Sequence, residues 1–190
     1  MGLTLTTAAA KAAVTRDKIR THLRVTATED DDLIDTLVAA ATARAELVTN
    51  RQLITATYTL TLDKFPTVIH LPRAPLQSVT HVKYYDTAGV QQTWSSAEYA
   101  VDTDTHPGRL APAYGYTWPT HRQMMNAIEV EYIAGYGDDP GDVPEGLRVA
   151  VKMLAGHWYE NREFAAEATL REVPGAVNAL LWQHRIFGTT

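Results

Sequence analysis

The chain has 190 residues, 45% hydrophobic and 21% charged, with a formal net charge of −5 and no cysteine. That length suits one domain, or one domain with a sizeable insertion, and the composition is that of a folded globular chain. The absent cysteine excludes disulfides and thiolate metal sites, the acidic balance gives no support to a general grip on phosphates, and no run approaches the ~18 apolar residues of a membrane span.

Residues 1–13 form an alanine- and threonine-rich extension whose pattern fits either a helix of its own or a mobile arm. The block from Ala8 to Val14 carries Lys11 in its middle and makes a poor signal peptide. A first helix is predicted to start at Thr15, with Asp17 in the first turn and Ile19 and Leu23 on one face. A second starts at Thr28, followed by Glu29, Asp30, Asp31 and Asp32 where orphan backbone N–H groups point. Its body places Leu33, Ile34, Leu37, Val38, Ala41, Ala45 and Val48 at helical spacing, and Asn50 is a plausible stop.

The period then changes from 3.6 to 2. From Gln52 to Asp63 the even positions Ile54, Ala56, Tyr58, Leu60 and Leu62 are apolar, and the odd positions from Thr55 to Thr61 are threonine, which predicts a half-buried antiparallel strand. Val68 to Leu71 and Val79 to Tyr85 read as further strands, followed by a turn over Asp86 to Gly89, a return over Gln91 to Trp94, and a short strand from Glu98 to Asp102. Asn126 to Ile133 closes the block. A third helix follows Pro144, with Leu147, Val151, Leu154 and Trp158 in one stripe. The predicted fold class is α+β: a small helical bundle (14–51 and 134–170) with an inserted antiparallel β-domain (52–133) and an extended C-terminal tail (171–190).

That tail carries Val177, Leu180, Leu181, Trp182, Ile186 and Phe187 within eleven positions. A terminus is usually polar and frayed. This one is either folded back on its own core or built to enter another protein.

Catalytic patterns are missing. His157 lies near Glu160 and Asn161 on a helix without an HExxH signature, so a packed or surface histidine is the expectation. Asp138, Asp139 and Asp142 lack the spacing of an EF-hand and read as a solvated turn. Gly135-Tyr136-Gly137 is no dinucleotide loop, and neither a Walker lysine nor a G-x-S-x-G elbow occurs. The aromatic loop over 114–118 could stack bases or sugars, but no basic residue interleaves with it, and a surface loop or subunit contact fits better. The chain reads as a non-enzyme that needs no cofactor and no metal. A soluble carbohydrate- or peptide-binding module using the 114–118 loop is the alternative, and a hydrolase built on His157 a distant third.

Several strings resemble one family in order along the chain. They are Val14-Thr-Arg-Asp-Lys-Ile-Arg-Thr-His-Leu-Arg-Val25, Asp30-Asp-Asp-Leu-Ile-Asp35, Ala39-Ala-Ala-Thr-Ala-Arg44, Leu71-Pro-Arg-Ala-Pro-Leu-Gln-Ser-Val79, Val82-Lys-Tyr-Tyr-Asp86, Tyr132-Ile-Ala-Gly-Tyr-Gly137, Val143-Pro144 and His157-Trp-Tyr-Glu-Asn-Arg162. Together, over roughly 14–187, they resemble the head–tail connector (adaptor, head-completion) proteins of long-tailed phages and gene transfer agents. Residues 1–13 stand outside that pattern.

The resemblance implies a structural protein of the virion neck, assembled in the host cytoplasm as a homo-oligomeric ring, usually of twelve copies, beneath the portal protein. It implies that DNA passes through the lumen without specific binding, that no membrane is involved, and that the tail side receives a stopper or tail protein. It also implies that the C-terminal segment reaches the portal, a role that falls here on Leu181, Trp182, His184, Arg185, Ile186 and Phe187. In a ring, acids facing the lumen would repel phosphate at short range, and Glu29, Asp30, Asp31, Asp138 and Asp139 are the candidates. Plain helix-start and turn chemistry explains each of them equally well.

Overall fold

The computed structural model describes residues 1–161 and 175–187. They fall into two compact units, one of residues 1–10 and 55–136, the other of 11–54 with 137–161 and 175–187.

The first unit is all β, an outcome of the alternation after Thr55. Its strands are β1 (Gly2–Thr7), β2 (Ala56–Leu62), β3 (Ile69–Leu71), β4 (Leu76–Tyr85), β5 (Gln91–Trp94), β6 (Tyr99–Asp102), β7 (Gly108–Pro112) and β8 (Ile128–Ala134). A five-stranded antiparallel sheet runs β1-β2-β8-β4-β5, and a three-stranded one runs β3-β7-β6. Register aligns Tyr58 with Tyr132 and Leu60 with Val130, which in turn meets Val82 on β4. These residues share one buried face with Ile128 and Ala134, closed over by Ile69, Leu71 and Leu110 of the smaller sheet. Each such aliphatic side chain contributes roughly 1.5–3 kcal/mol through its burial. The opposite face of the large sheet is wet, with Thr57, Thr59 and Thr61 beside Glu129 and Glu131. His81 sits 3.3 Å from Glu129 and 3.7 Å from Glu131.

Two aromatic groups organise the core. Tyr58 and Tyr132 stack at 5.9 Å, and the buried Tyr132 hydroxyl donates to the Pro72 carbonyl at 2.9 Å. Burial pushes that phenol well above the ordinary tyrosine range, so it stays a donor. Phe65 stacks on Trp118 at 4.5 Å and approaches Trp94, whose indole N–H donates to Glu98 at 2.5 Å. Gly108 lets β7 come close to β4, because a Cβ there would lie 2.6 Å from the Leu76 side chain.

The second unit holds α1 (Arg16–Leu23), α2 (Asp31–Thr49), α3 (Glu145–Glu160) and α4 (Gly175–Gln183). Ile19, Ile34, Val38, Ala41 and Ala45 meet Leu147, Ala150, Val151 and Leu154, and α4 adds Val177 and Leu181. The small residues on α2 and α3 suit close helix approach.

Several sequence expectations shift. The N-cap of α2 is Asp30 rather than Thr28, and the Asp30 carboxylate accepts the Tyr159 hydroxyl at 2.5 Å instead of capping a backbone N–H. β2 begins at Ala56, not Gln52, because the Glu46 carboxylate takes the Gln52 amide and the Leu53 N–H and holds that stretch to the end of α2. β4 starts three residues before Val79, and β7 was missed because only Leu110 marks its apolar side chains as buried. Residues 2–7 of the extension are neither helix nor arm but strand β1. The tail is a helix, α4, followed by a short segment through Phe187; the end of the expected helical core (to 170) and the first residues of the expected tail (from 171) fall in 162–174, outside the described residues.

In urea unfolding, Gly108→Ala should lower stability by about 1–3 kcal/mol through the clash with Leu76. Leu181→Ala, at a buried position of α4, should cost about 2–5 kcal/mol. A neutral result for Leu181→Ala would show that α4 adds nothing to the helical core.

Candidate docking site

The tail divides into an inner and an outer side. Val177, Leu181 and Ile186 are buried within the helical unit. Trp182 and Phe187 are 54% and 69% exposed. Their rings stand 6.3 Å apart, with the Arg185 guanidinium 4.6 Å from the Trp182 centroid and 5.3 Å from that of Phe187. A cation over exposed aromatic faces is worth about 0.5–1 kcal/mol per contact. Among the described residues Arg185 forms no ion pair, and its Nε has no hydrogen-bond partner. The cluster therefore presents two apolar plates around an uncompensated guanidinium, a chemistry that suits an acidic or carbonyl-rich partner surface with an apolar centre.

Its placement comes from the end of α2. Asn50 adopts a left-handed conformation at φ 55° and ends the helix. The Thr49 carbonyl then accepts the Ile186 N–H at 2.9 Å. The Asn50 side chain donates to the Ile186 carbonyl at 2.8 Å, and the Arg51 Nε donates to the His184 carbonyl at 2.6 Å. Of the three residues that hold the tail, sequence reading singled out only Asn50, and only as a helix stop. A bond spanning over 130 positions leaves no local signal.

Of the six residues expected to dock, the structure thus brings Trp182, Arg185 and Phe187 together on the outside. Leu181 and Ile186 lie inside the chain's own bundle, and half-buried His184 packs beside Gly146, where a Cβ would lie 3.1 Å from its Nε2.

The five candidate lumen acids are also divided. Asp31 pairs with Arg16 at 3.2 Å and with Arg20 at 3.5 Å, Asp139 pairs with Lys11, and Asp30 holds Tyr159. Arg16 also grips Asp35, which holds that carboxyl below the usual range. Glu29 and Asp138 are exposed and form no ion pair among the described residues. In the β unit Tyr114 and Tyr116 are exposed, while Trp118 is half-buried against Phe65, so the aromatic loop offers two rings to solvent rather than three. Among the described residues no group of three His, Asp or Glu side chains has the arrangement to hold a metal ion, and His157 meets Asn161 at 3.4 Å.

Burial, and then the charge of Arg51, hold the His184 imidazole below its ordinary 6.5. The unfolded chain takes a proton that the folded chain refuses, so this contribution is complete above about pH 6.5 and lost as pH falls below it. The thermal midpoint should drop between about pH 7 and pH 5.5, and His184→Gln should flatten that drop. An identical slope in the variant would remove His184 as the cause.

Three chains of solved assemblies are similar to this one, each aligning over 100% of this chain and 98% of its own. One belongs to the neck of an empty gene transfer agent particle computed with C6 symmetry, at 28% identity and a TM-score of 0.80. Another is from the virion of a native gene transfer agent particle, at 27% and 0.80. The third is from the neck of a native particle computed with C12 symmetry, at 27% and 0.79. No curated protein sequence matches the chain. Residues 12–177 match the family described as head completion protein, and over that span, most of its length, the chain belongs to the head completion protein family.

Proposed function

We propose that this chain is a structural protein of the virion neck, without catalytic activity, and that its copies form a ring that joins capsid to tail. The observation that carries this reading is the end-to-end likeness to neck chains at 27–28% identity. The C6 and C12 symmetry of those necks favours a ring of twelve copies. Such a ring sits beneath the portal, extends the DNA channel, and offers its far side to a stopper or tail protein. The formal charge of −5 suits a channel that lets DNA pass without gripping it.

The attachment to the portal is assigned to the outer side of the tail. Trp182, Arg185 and Phe187 provide the aromatic and arginine composition that dominates interface centres. Leu181, Ile186 and His184 act from behind, as the packed support that fixes the rings. Glu29 and Asp138 are the acids best placed to present free charge to a lumen, since Asp30, Asp31 and Asp139 already have partners.

The double variant Trp182→Ala/Phe187→Ala separates docking from folding. It should leave stability within about 1 kcal/mol, yet weaken co-sedimentation with portal by ~30-fold or more. Full portal binding by a folded double variant would overturn the assignment of the docking site.

A further inference from the structure

Among the described residues the large sheet ends in two edges that no further strand pairs, β1 and β5. Exposed edges in soluble proteins are normally blunted by charge, proline or a covering segment, because a bare edge templates further strands. Neither edge here carries a charge or a proline: β1 reads Gly2-Leu-Thr-Leu-Thr-Thr7 and β5 reads Gln91-Gln-Thr-Trp94. Every residue of β1 is exposed, and Gln91, Gln92 and Thr93 of β5 are exposed as well.

β1 has a second anomaly. Its register sets Leu3 opposite Leu60 and Leu5 opposite Tyr58, so both leucines belong to the face that is buried on the neighbouring strand. They nevertheless remain 37% and 51% exposed. The apolar face of the sheet therefore runs one strand past the side chains that cover it. On its other side β1 is held to β2 through Thr6 with Thr59 at 2.6 Å.

A closed ring requires two different surfaces on each subunit, one complementary to the other, because head-to-tail contacts are heterologous. The two edges of a single sheet are such a pair, facing away from one another across five strands. We infer that β1 of one copy joins β5 of the next, main chain to main chain, and that the neighbouring β unit covers Leu3 and Leu5. Backbone hydrogen bonds along the edge give the contact its affinity, and the two leucines, which must face the apolar side, fix its register. The inference rests on the ring reading above and specifies which surfaces make the ring.

The chain contains no cysteine, so introduced thiols report cleanly. Thr4 and Thr93 both lie on the wet face, opposite Thr59 and Lys83, and both are exposed. Purified particles carrying Thr4→Cys/Thr93→Cys, treated with a short bis-maleimide and run on a denaturing gel, should give a ladder at multiples of the chain mass. Chains with either single substitution should remain monomers. A neck that contains the doubly substituted chain in many copies but yields only monomer would overturn the edge pairing and leave the ring intact. Dimers from Thr4→Cys alone would place β1 against β1 and also overturn it. Wild-type necks that lack the chain altogether would overturn the ring reading, and this inference with it.

Discussion

Asn50 ends α2 in a left-handed conformation, and the carbonyl thereby left over at Thr49 is taken by the N–H of Ile186. A helix terminus always leaves such carbonyls without intrahelical partners, and most are satisfied locally or by water. Here one is satisfied by the far end of the chain, and the Asn50 and Arg51 side chains add two more bonds to the same segment. Each bond is worth about 1 kcal/mol net, but together they fix where residues 184–186 run. With the backbone fixed, Leu181 and Ile186 fall inward and Trp182 and Phe187 are left outside. The candidate interface follows from the way one helix stops.

Much of the fold was legible because burial has a period. The threonine alternation from Thr55 to Thr61 gave β2, and the leucine stripe after Pro144 gave α3. What escaped was decided by distant partners. Thr28 has the better capping side chain, yet the helix starts after Asp30, whose carboxylate is engaged by Tyr159. β1 has alternation too, but six residues of leucine and threonine are too short to declare a strand without β2 beside them. In the tail, sequence exposed the excess of apolar surface and left open whether it served the core or a partner. In the structure the apolar surface is divided, since of the neighbouring positions Leu181 and Trp182 the first is buried and the second exposed.

Charge was the least legible property. The run from Glu29 to Asp32 and the acidic turn at Asp138 look alike in a sequence that shows only sign. In the helical unit Lys11, Arg16 and Arg20 neutralise part of both groups; the Lys11 pair with Asp139 is largely solvent-exposed and of small individual worth, whereas Asp31 is more sheltered between Arg16 and Arg20. The negative charge these acids present outward is therefore weaker than the residue count implies, and it depends on which of them remain unpaired.

The clamp at the end of α2 has a mechanical consequence. Anything that grips the Trp182 and Phe187 rings pulls on a backbone tied at three points to Thr49, Asn50 and Arg51. Tension applied there is shared across those ties and passed into the long axis of a nineteen-residue helix, instead of unpeeling a loose end. A load placed on those rings would thus hang from a helix rather than from a thread.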